Sequence, residues 1–300
     1  MALLGIEIGG TKLQLFAGDD AGSAIERKKL YVDAAAGASG IRELIKRILP
    51  DLLGRYRVRA IGVGFGGPVD WRAGKICRSH QVEGWSGFDF SGWLHGLAGV
   101  PVIIDNDANV GALGEACRGA GVDFNPVFYV TLGSGVGGGL VVDGRVYHGT
   151  TPGEAEIGHI RLDKSGTIVE QRCSGWAVDA RIRALKTTHP TSVLARLTEP
   201  GGEAKHLGSA LAQGDAAALQ ILEETAEDLA FALSHVVHLF HPQIIVLGGG
   251  LSGVGEPLRA EVAAALERFV MEAFHPLPRV ALAALGEDAV PVGALALAKR

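Results

Sequence analysis

The sequence predicts an α/β fold built from two related domains, and three observations carry that prediction. Apolar runs of strand length alternate along the chain with segments whose apolar residues recur at helical spacing. A strand, a glycine turn and a second strand occur near residue 10 and again near residue 135. Glycine is in excess: it fills 44 of 300 positions, about 15% against an ordinary share of roughly 7%. A folded chain with that many glycines needs tight turns or close approach of its backbone to something else.

Taken in order, Leu4, Ile6 and Ile8 alternate before Gly9-Gly10-Thr11-Lys12, and Leu13 and Leu15 alternate after it, which reads as a β-hairpin around a polar glycine turn. Ile41, Leu44, Ile45, Ile48 and Leu49 recur at helical spacing between residues 39 and 53, with Ser39 as the candidate cap. Residues 58–65 read as a buried strand ending in Gly66-Gly67-Pro68. A short strand over 100–104 runs into Asp105-Asn106-Asp107-Ala108-Asn109, and an alanine-rich helix reaches residue 120. The opening pattern then recurs. Phe128, Val130 and Leu132 alternate, glycine-rich residues 133–139 follow, Leu140 and Val142 resume, and Asp143-Gly144 turns the chain into another short strand. The two copies suggest a duplicated α/β domain facing a cleft.

Further on, Asp215 caps a long helix to Phe240, with Leu219, Leu222, Ala226, Leu229, Leu233 and Val237 on one face, and His241-Pro242 stops it. Ile244 to Leu247 reads as a buried strand closed by Gly248-Gly249-Gly250. A helix over 257–274, a strand over 280–284 and a last helix opened by Pro291 complete the chain. Composition marks no linker. The expected division is a smaller N-terminal domain, 1–111, joined by a C-terminal helix at 288–300, and a larger domain over 112–287.

Composition excludes several classes. The chain is 47% hydrophobic and 20% charged, which excludes low-complexity disorder, and its glycines lack the collagen period. A net charge of −5 argues against a nucleic-acid footprint or binding to an anionic membrane. No apolar run approaches the roughly 18 residues of a membrane span. Three cysteines, Cys77, Cys117 and Cys173, are odd in number and far apart, as in a reducing compartment. A strand begins at residue 3 without a basic leader, so no signal peptide is expected, and the expected location is the cytoplasm.

Two glycine patterns, Gly62-x-Gly64-x-x-Gly67 and Gly133-x-Gly135-x-x-Gly138, have the dinucleotide spacing, but neither opens a helix as that fingerprint requires. Gly10-Thr11-Lys12 reverses the order of a P-loop. What remains is a pair of glycine hairpins whose backbone N–H groups can line a polyphosphate from facing domains, with Lys12 and the Thr11 and Ser134 hydroxyls as further donors. The triplet at 248–250 lets a flat base lie against the backbone. One such loop alone would read as a plain turn; three at strand ends favour a nucleotide.

In order and spacing, the chain resembles the ROK (repressor, open reading frame, kinase) family of sugar kinases over nearly its whole length. The carriers are Ile6-Glu7-Ile8-Gly9-Gly10-Thr11-Lys12, Gly67-Pro68-Val69-Asp70, Asn106-Asp107-Ala108-Asn109, the run from Leu132 to Gly139, Glu156-Ile157-Gly158-His159 and the late glycine triplet. The resemblance implies a two-domain actin-like ATPase (ribonuclease H-like) fold with a cleft between the domains. It implies a glucokinase-like enzyme that uses ATP and Mg2+ to phosphorylate a hexose, foremost the glucose 6-hydroxyl, and a homodimer. N-acylmannosamine, N-acetylglucosamine and fructose stay open as acceptors, as does a catalytically silent sugar-binding role. A repressor of the family would carry a DNA-binding helix–turn–helix ahead of the phosphate strand, and none is expected here.

The resemblance assigns Gly9, Gly10, Thr11, Lys12, Gly133, Ser134, Gly135, Gly249 and Gly250 to the nucleotide. It assigns Asn106, Gly67, Glu156, His159 and Glu170 to the sugar, and Asp107 to the role of general base. From the residues alone, Asp107 reads equally as a helix cap and as a carboxylate that accepts a hydroxyl proton. Asp105 lies beside it without an assigned role. Glu154 reads as a solvent-facing residue, and Gln81 stands where the family has an Asn.

The chain departs from the family at two places. Residues 163–170 lack the cysteines of the family's zinc site, and Cys173 comes later and alone. Tetrahedral structural zinc needs four ligands, so no zinc site is expected, and packing about Trp176 is expected to hold that loop. Glu7 stands where the family has a magnesium-associated Asp, one methylene shorter. His235 and His238, on one helix face without further ligands, read as structural.

Overall fold

The structure, a computed structural model, describes residues 1–19, 22–79, 82–153, 155–196 and 201–300. In chain order the first elements are β1 (Ala2–Ile8), β2 (Lys12–Gly18), β3 (Ala24–Tyr31), α1 (Gly37–Arg55), β4 (Val58–Phe65), β5 (Val69–Asp70), β6 (Lys75–Ile76), β7 (Phe88–Asp89), α2 (Phe90–Ala98), β8 (Val102–Asn106) and α3 (Asp107–Arg118). There follow β9 (Val127–Leu132), β10 (Val136–Val142), β11 (Arg145–Val146), α4 (Val169–Cys173), α5 (Gly175–Thr188), α6 (Leu207–Ala212), α7 (Ala216–Phe240), β12 (Ile244–Gly248), α8 (Glu256–Glu267), β13 (Arg279–Leu282) and α9 (Ala289–Ala298).

One compact unit comprises Met1–Val122, Gly139–Ala155 and Glu287–Arg300. Its main sheet runs β3-β2-β1-β4-β8. The hairpin strands are antiparallel, while β1, β4 and β8 are parallel. Alternation along β1 divides its side chains between two cores. Leu4, Ile6 and Ile8, with Leu13 and Leu15, pack with Ile41, Ile45, Leu49 and Leu52 of α1 and with Phe90 and Leu94 of α2. Leu3 and Phe16 pack on the other face with Val110 and Leu113 of α3 and Ala294 and Leu295 of α9. A one-residue slip of β1 would swap these sets between the two cores and turn Glu7 toward α1 and α2, so the register is fixed by both cores at once. Glu7 shares the parity of Leu3, so it lies on the α3 side of the sheet.

The other unit comprises Asp123–Gly138 and Glu156–Gly286, so the chain passes from one unit to the other within β10. The second sheet runs β11-β10-β9-β12-β13, with β9, β12 and β13 parallel. Its order repeats that of the first sheet: two hairpin strands, the opening strand, then two parallel strands. The weak repeat read from the sequence is therefore a repeat of topology. Asp215 caps α7, its Oδ1 accepting from the N–H groups of Ala217 and Ala218 at 2.9 and 3.1 Å, and His241 ends the helix at φ 43°.

Several elements differ from the sequence reading. Ser39 lies inside α1, which opens at Gly37, and its hydroxyl donates to the Ala36 carbonyl at 3.0 Å. Leu219 is 46% exposed because Ala217, Ala218, Ile221 and Leu222 take the core side of the first turns of α7. α8 stops at Glu267, and residues 272–274 form a separate 3-10 turn. Residue 111, the expected domain boundary, lies inside α3. Among the described residues no helix is long and apolar enough to cross a membrane.

Candidate active site

In the first unit, the C-terminal ends of β1, β4 and β8 gather the residues singled out by the sequence. The turn after β1 is closed by the Gly9 N–H donating to the Lys12 carbonyl at 2.9 Å, and the Gly66 N–H after β4 donates to the Ile8 carbonyl at 2.8 Å. Glu7, only 7% exposed, is bound on both oxygens: Gln14 Nε2 donates to Oε2 at 2.7 Å, and Lys12 Nζ lies 2.9 Å from Oε1. Glu7 and Gln14 are directly opposed across the hairpin, which puts both side chains on one face.

The turn from β8 into α3 settles which residue caps the helix. Asn106 is the cap: its Oδ1 accepts from the N–H groups of Ala108 and Asn109 at 2.9 and 3.3 Å, and its Nδ2 donates to the Gly67 carbonyl at 3.2 Å. Asp107 is thereby the first residue of α3. Its Oδ1 accepts from the Ala108 N–H at 2.9 Å, and its Oδ2 lies 3.4 Å from where a Cβ on Gly66 would stand. The partial positive charge at a helix N-terminus favours a carboxylate at this position.

Asp105, 2% exposed, accepts from the Asn106 N–H at 2.8 Å and from Asn109 Nδ2 at 3.0 Å on Oδ1, while His148 Nε2 faces Oδ2 at 2.5 Å. The His148 ring stacks on Trp71, with centroids 4.1 Å apart and planes 17° apart. Sequence reasoning missed His148. It lies in no motif, and its partners are distant in sequence.

In the second unit, the Gly133 N–H donates to the Gly135 carbonyl at 2.9 Å, and the Gly175 N–H donates to the Gly133 carbonyl at 2.7 Å. Glu170, at the start of α4, accepts from the Val136 N–H at 2.9 Å, and a Cβ on Gly135 would stand 2.4 Å from Glu170 Oε2. Glu170 thus lies against the backbone at Gly135 and braces the loop assigned to phosphate. Glu156 and His159 are exposed and lie 3.4 Å apart across one 3-10 turn. Gly249 adopts φ +80°, and a Cβ there would stand 2.5 Å from the Leu132 nitrogen, which ties the late triplet to the end of β9. Gln81 and Glu154 lie outside the described residues.

The zinc-less loop is not held by Trp176, which is 65% exposed. Asp163 holds it, accepting on Oδ1 from the Ser165 hydroxyl at 2.6 Å and from the Gly166 and Thr167 N–H groups at 2.9 and 3.2 Å. The Ser165 and Thr167 side chains, with those N–H groups, keep the Asp163 carboxyl well below the usual range. Cys173 is buried, with its thiol donating to the Thr225 carbonyl at 3.6 Å, and burial pushes its pKa up to about 12. His235 and His238 bond to backbone at Phe231 and Met271. Among the described residues no group of 3 or more His, Cys, Asp or Glu side chains could hold a metal ion. Magnesium asks for less: it takes one or two carboxylates and keeps water and substrate phosphates as its other ligands. The Glu7 carboxylate fits that demand, since each oxygen bonded to Lys12 or Gln14 keeps a second lone pair.

The class defined by this fold is the two-domain actin-like ATPases, and solved structures agree. A ROK family glucokinase from Streptomyces griseus, solved with glucose and AMPPNP, matches at a TM-score of 0.85 and 29% identity, over 100% of this chain and 99% of that one. Among curated proteins, a glucokinase of Halalkalibacterium halodurans is 31% identical over 97% of this chain and 92% of its own length. A glucokinase of Thermotoga maritima is 29% identical over 100% and 98%. The sequence model of the ROK family matches residues 3–300, and the chain belongs to that family.

Proposed function

We propose that the chain transfers the γ-phosphoryl group of ATP to a hexose, foremost to the 6-hydroxyl of glucose, with Asp107 as general base. The chain is a sugar kinase; the acceptor, the base and the metal are the proposed particulars. One observation supports the base above all. Asn106 takes the helix cap, which leaves the Asp107 carboxylate at the head of α3 beside Gly66, at the carboxyl ends of parallel strands where open α/β sheets bind ligands.

The chemistry follows from that position. The sugar hydroxyl oxygen attacks the γ-phosphorus, its proton passes to Asp107, and the bond from phosphorus to the β-phosphate oxygen breaks to release ADP. Asp107 then returns the proton to solvent. Gly9, Gly10, Thr11, Lys12, Gly133, Ser134, Gly135, Gly249 and Gly250 serve the nucleotide. Asn106 and the Gly67 backbone, with Glu156, His159 and Glu170, serve the sugar hydroxyls. Magnesium, when bound, neutralises phosphate charge, and Glu7 is the residue that would hold it. The cytoplasm is the expected location, and a homodimer is the expected assembly.

ADP release measured over a panel of glucose, 6-deoxyglucose, N-acetylglucosamine, N-acetylmannosamine and fructose tests the reading. Turnover of glucose with none of 6-deoxyglucose is expected. Turnover of an N-acetyl sugar or fructose in preference to glucose would reassign the acceptor. ADP release that no sugar stimulates would leave a silent sugar-binding protein.

A further inference from the structure

We propose that His148 is a positioning residue for phosphoryl transfer: it holds Asp105, and through Asp105 it sets the turn that presents Asn106 and Asp107. The proposal rests on the roles given above to those two residues.

The contacts form a closed circuit within one unit. Asp105, the last residue but one of β8, is almost fully buried, and its carboxylate sits close to the point where β8 becomes α3. One oxygen accepts from the Asn106 N–H and from Asn109 Nδ2, so it fixes both the peptide before the cap and the first turn of the helix. Asn109 Nδ2 also donates to the Gly153 carbonyl at 3.2 Å, in the segment that follows His148. The other Asp105 oxygen faces His148 Nε2 at 2.5 Å. The His148 ring is fixed in turn by its stack on Trp71, which directly follows β5 and the Gly67-Pro68 turn. The Gly67 carbonyl closes the circuit by accepting from Asn106 Nδ2.

A histidine with only a packing role can satisfy itself on backbone, as His95 does on the Val100 carbonyl at 2.8 Å and His235 on the Phe231 carbonyl at 2.9 Å. His148 instead spends its Nε2 on a buried carboxylate two residues before the base. Asn106 holds φ −62° and ψ 145°, the extended geometry from which its Oδ1 reaches two helix N–H groups. Without His148, Asp105 Oδ2 is buried with no donor in that direction. The carboxylate then rotates toward other donors and takes the Asn106 N–H with it. A displacement of about 1 Å in a reacting group costs roughly 100-fold in rate.

The test compares H148Q with H148N in the sugar-phosphorylation assay, using whichever sugar the enzyme turns over. A Gln amide nitrogen sits where Nε2 sits and can still donate to Asp105; an Asn amide falls short of it. Both variants are first melted by circular dichroism to establish that they are folded at the assay temperature. The expected result is a fall in kcat of about tenfold or more for H148N, with KM for ATP within about twofold, and near-wild-type kcat for H148Q. The proposal is overturned if H148N keeps wild-type kcat, or if folded H148Q is as slow as H148N. Loss of folding by either variant also overturns it, since that marks a purely structural contact. D107N in the same assay separates the two levels. If D107N keeps its turnover, the base assignment fails. If D107N is inactive while H148N is unimpaired, the role of His148 alone fails.

Discussion

Asn106 is predicted to carry two separable loads, one on the helix and one on the sugar. In Asn106→Ala the Oδ1 cap on the Ala108 and Asn109 N–H groups disappears, which costs about 1 kcal/mol. The bond from Nδ2 to the Gly67 carbonyl disappears as well, for about 1 kcal/mol more. A total near 2 kcal/mol corresponds to a fall in Tm of about 4–8 °C for a domain of this size. Asn106→Asp keeps the cap, because Asp and Asn cap equally well. It removes the donor and sets a carboxylate against the Gly67 oxygen, so about half of the destabilisation is expected to remain. Both variants are expected to raise KM for the sugar, because both lose the amide donor. Thermal melts, followed by steady-state kinetics below the transition, provide the test. An Ala variant that melts like wild type, or an Asp variant less stable than the Ala one, would refute the assignment of Asn106 as the cap.

Three further outcomes follow from individual contacts. Lys12→Ala is expected to raise KM for ATP about tenfold or more, the loss of one charge-assisted phosphate contact, while the sugar Kd measured by calorimetry stays unchanged. A larger effect on the sugar than on ATP would contradict the nucleotide role. Gly249→Ala forces a side chain onto φ +80° and to within 2.5 Å of the Leu132 nitrogen. It is expected to cost about 3 kcal/mol or more, read as a lower denaturation midpoint, and an unchanged midpoint would contradict the packing described. Cys173 concerns alkaline pH. Burial raises its folded-state pKa from an ordinary value of 9.0 to about 12. The neutral thiol's contribution is therefore complete below about pH 9 and is lost as pH rises toward about 12. Wild-type Tm is expected to fall more steeply over that range than the Tm of Cys173→Ala, and identical slopes would refute it.

Local chemistry explains why much of this was legible in the sequence. The two hairpins announce themselves because alternation and glycine turns are short-range signals, and the shared strand order of the sheets then follows from repeating them. Asp215 was legible because a capping carboxylate bonds residues two and three ahead of it. The Asn106-Asp107 pair was only half legible: both residues cap well, and the backbone alone decides that Asn106 does so. His148 was hidden because its carboxylate lies 43 residues away, and the bond from Val136 to Glu170 spans 34 residues. The loop at 163–168 misled for a different reason. An aromatic residue suggested packing, but Trp176 opens α5 on its outer side, whereas Asp163 followed by Ser165, Gly166 and Thr167 is a local turn signal that was available.

The central claim is that Asp107 takes the proton of the attacking hydroxyl. Asp107→Asn keeps the shape and the helix-initiating position but removes the basic oxygen. Measured side by side, kcat for glucose phosphorylation should fall by about 100- to 10,000-fold, while the glucose Kd stays within about threefold of wild type. Turnover within about tenfold of wild type in a folded Asp107→Asn enzyme would contradict the account.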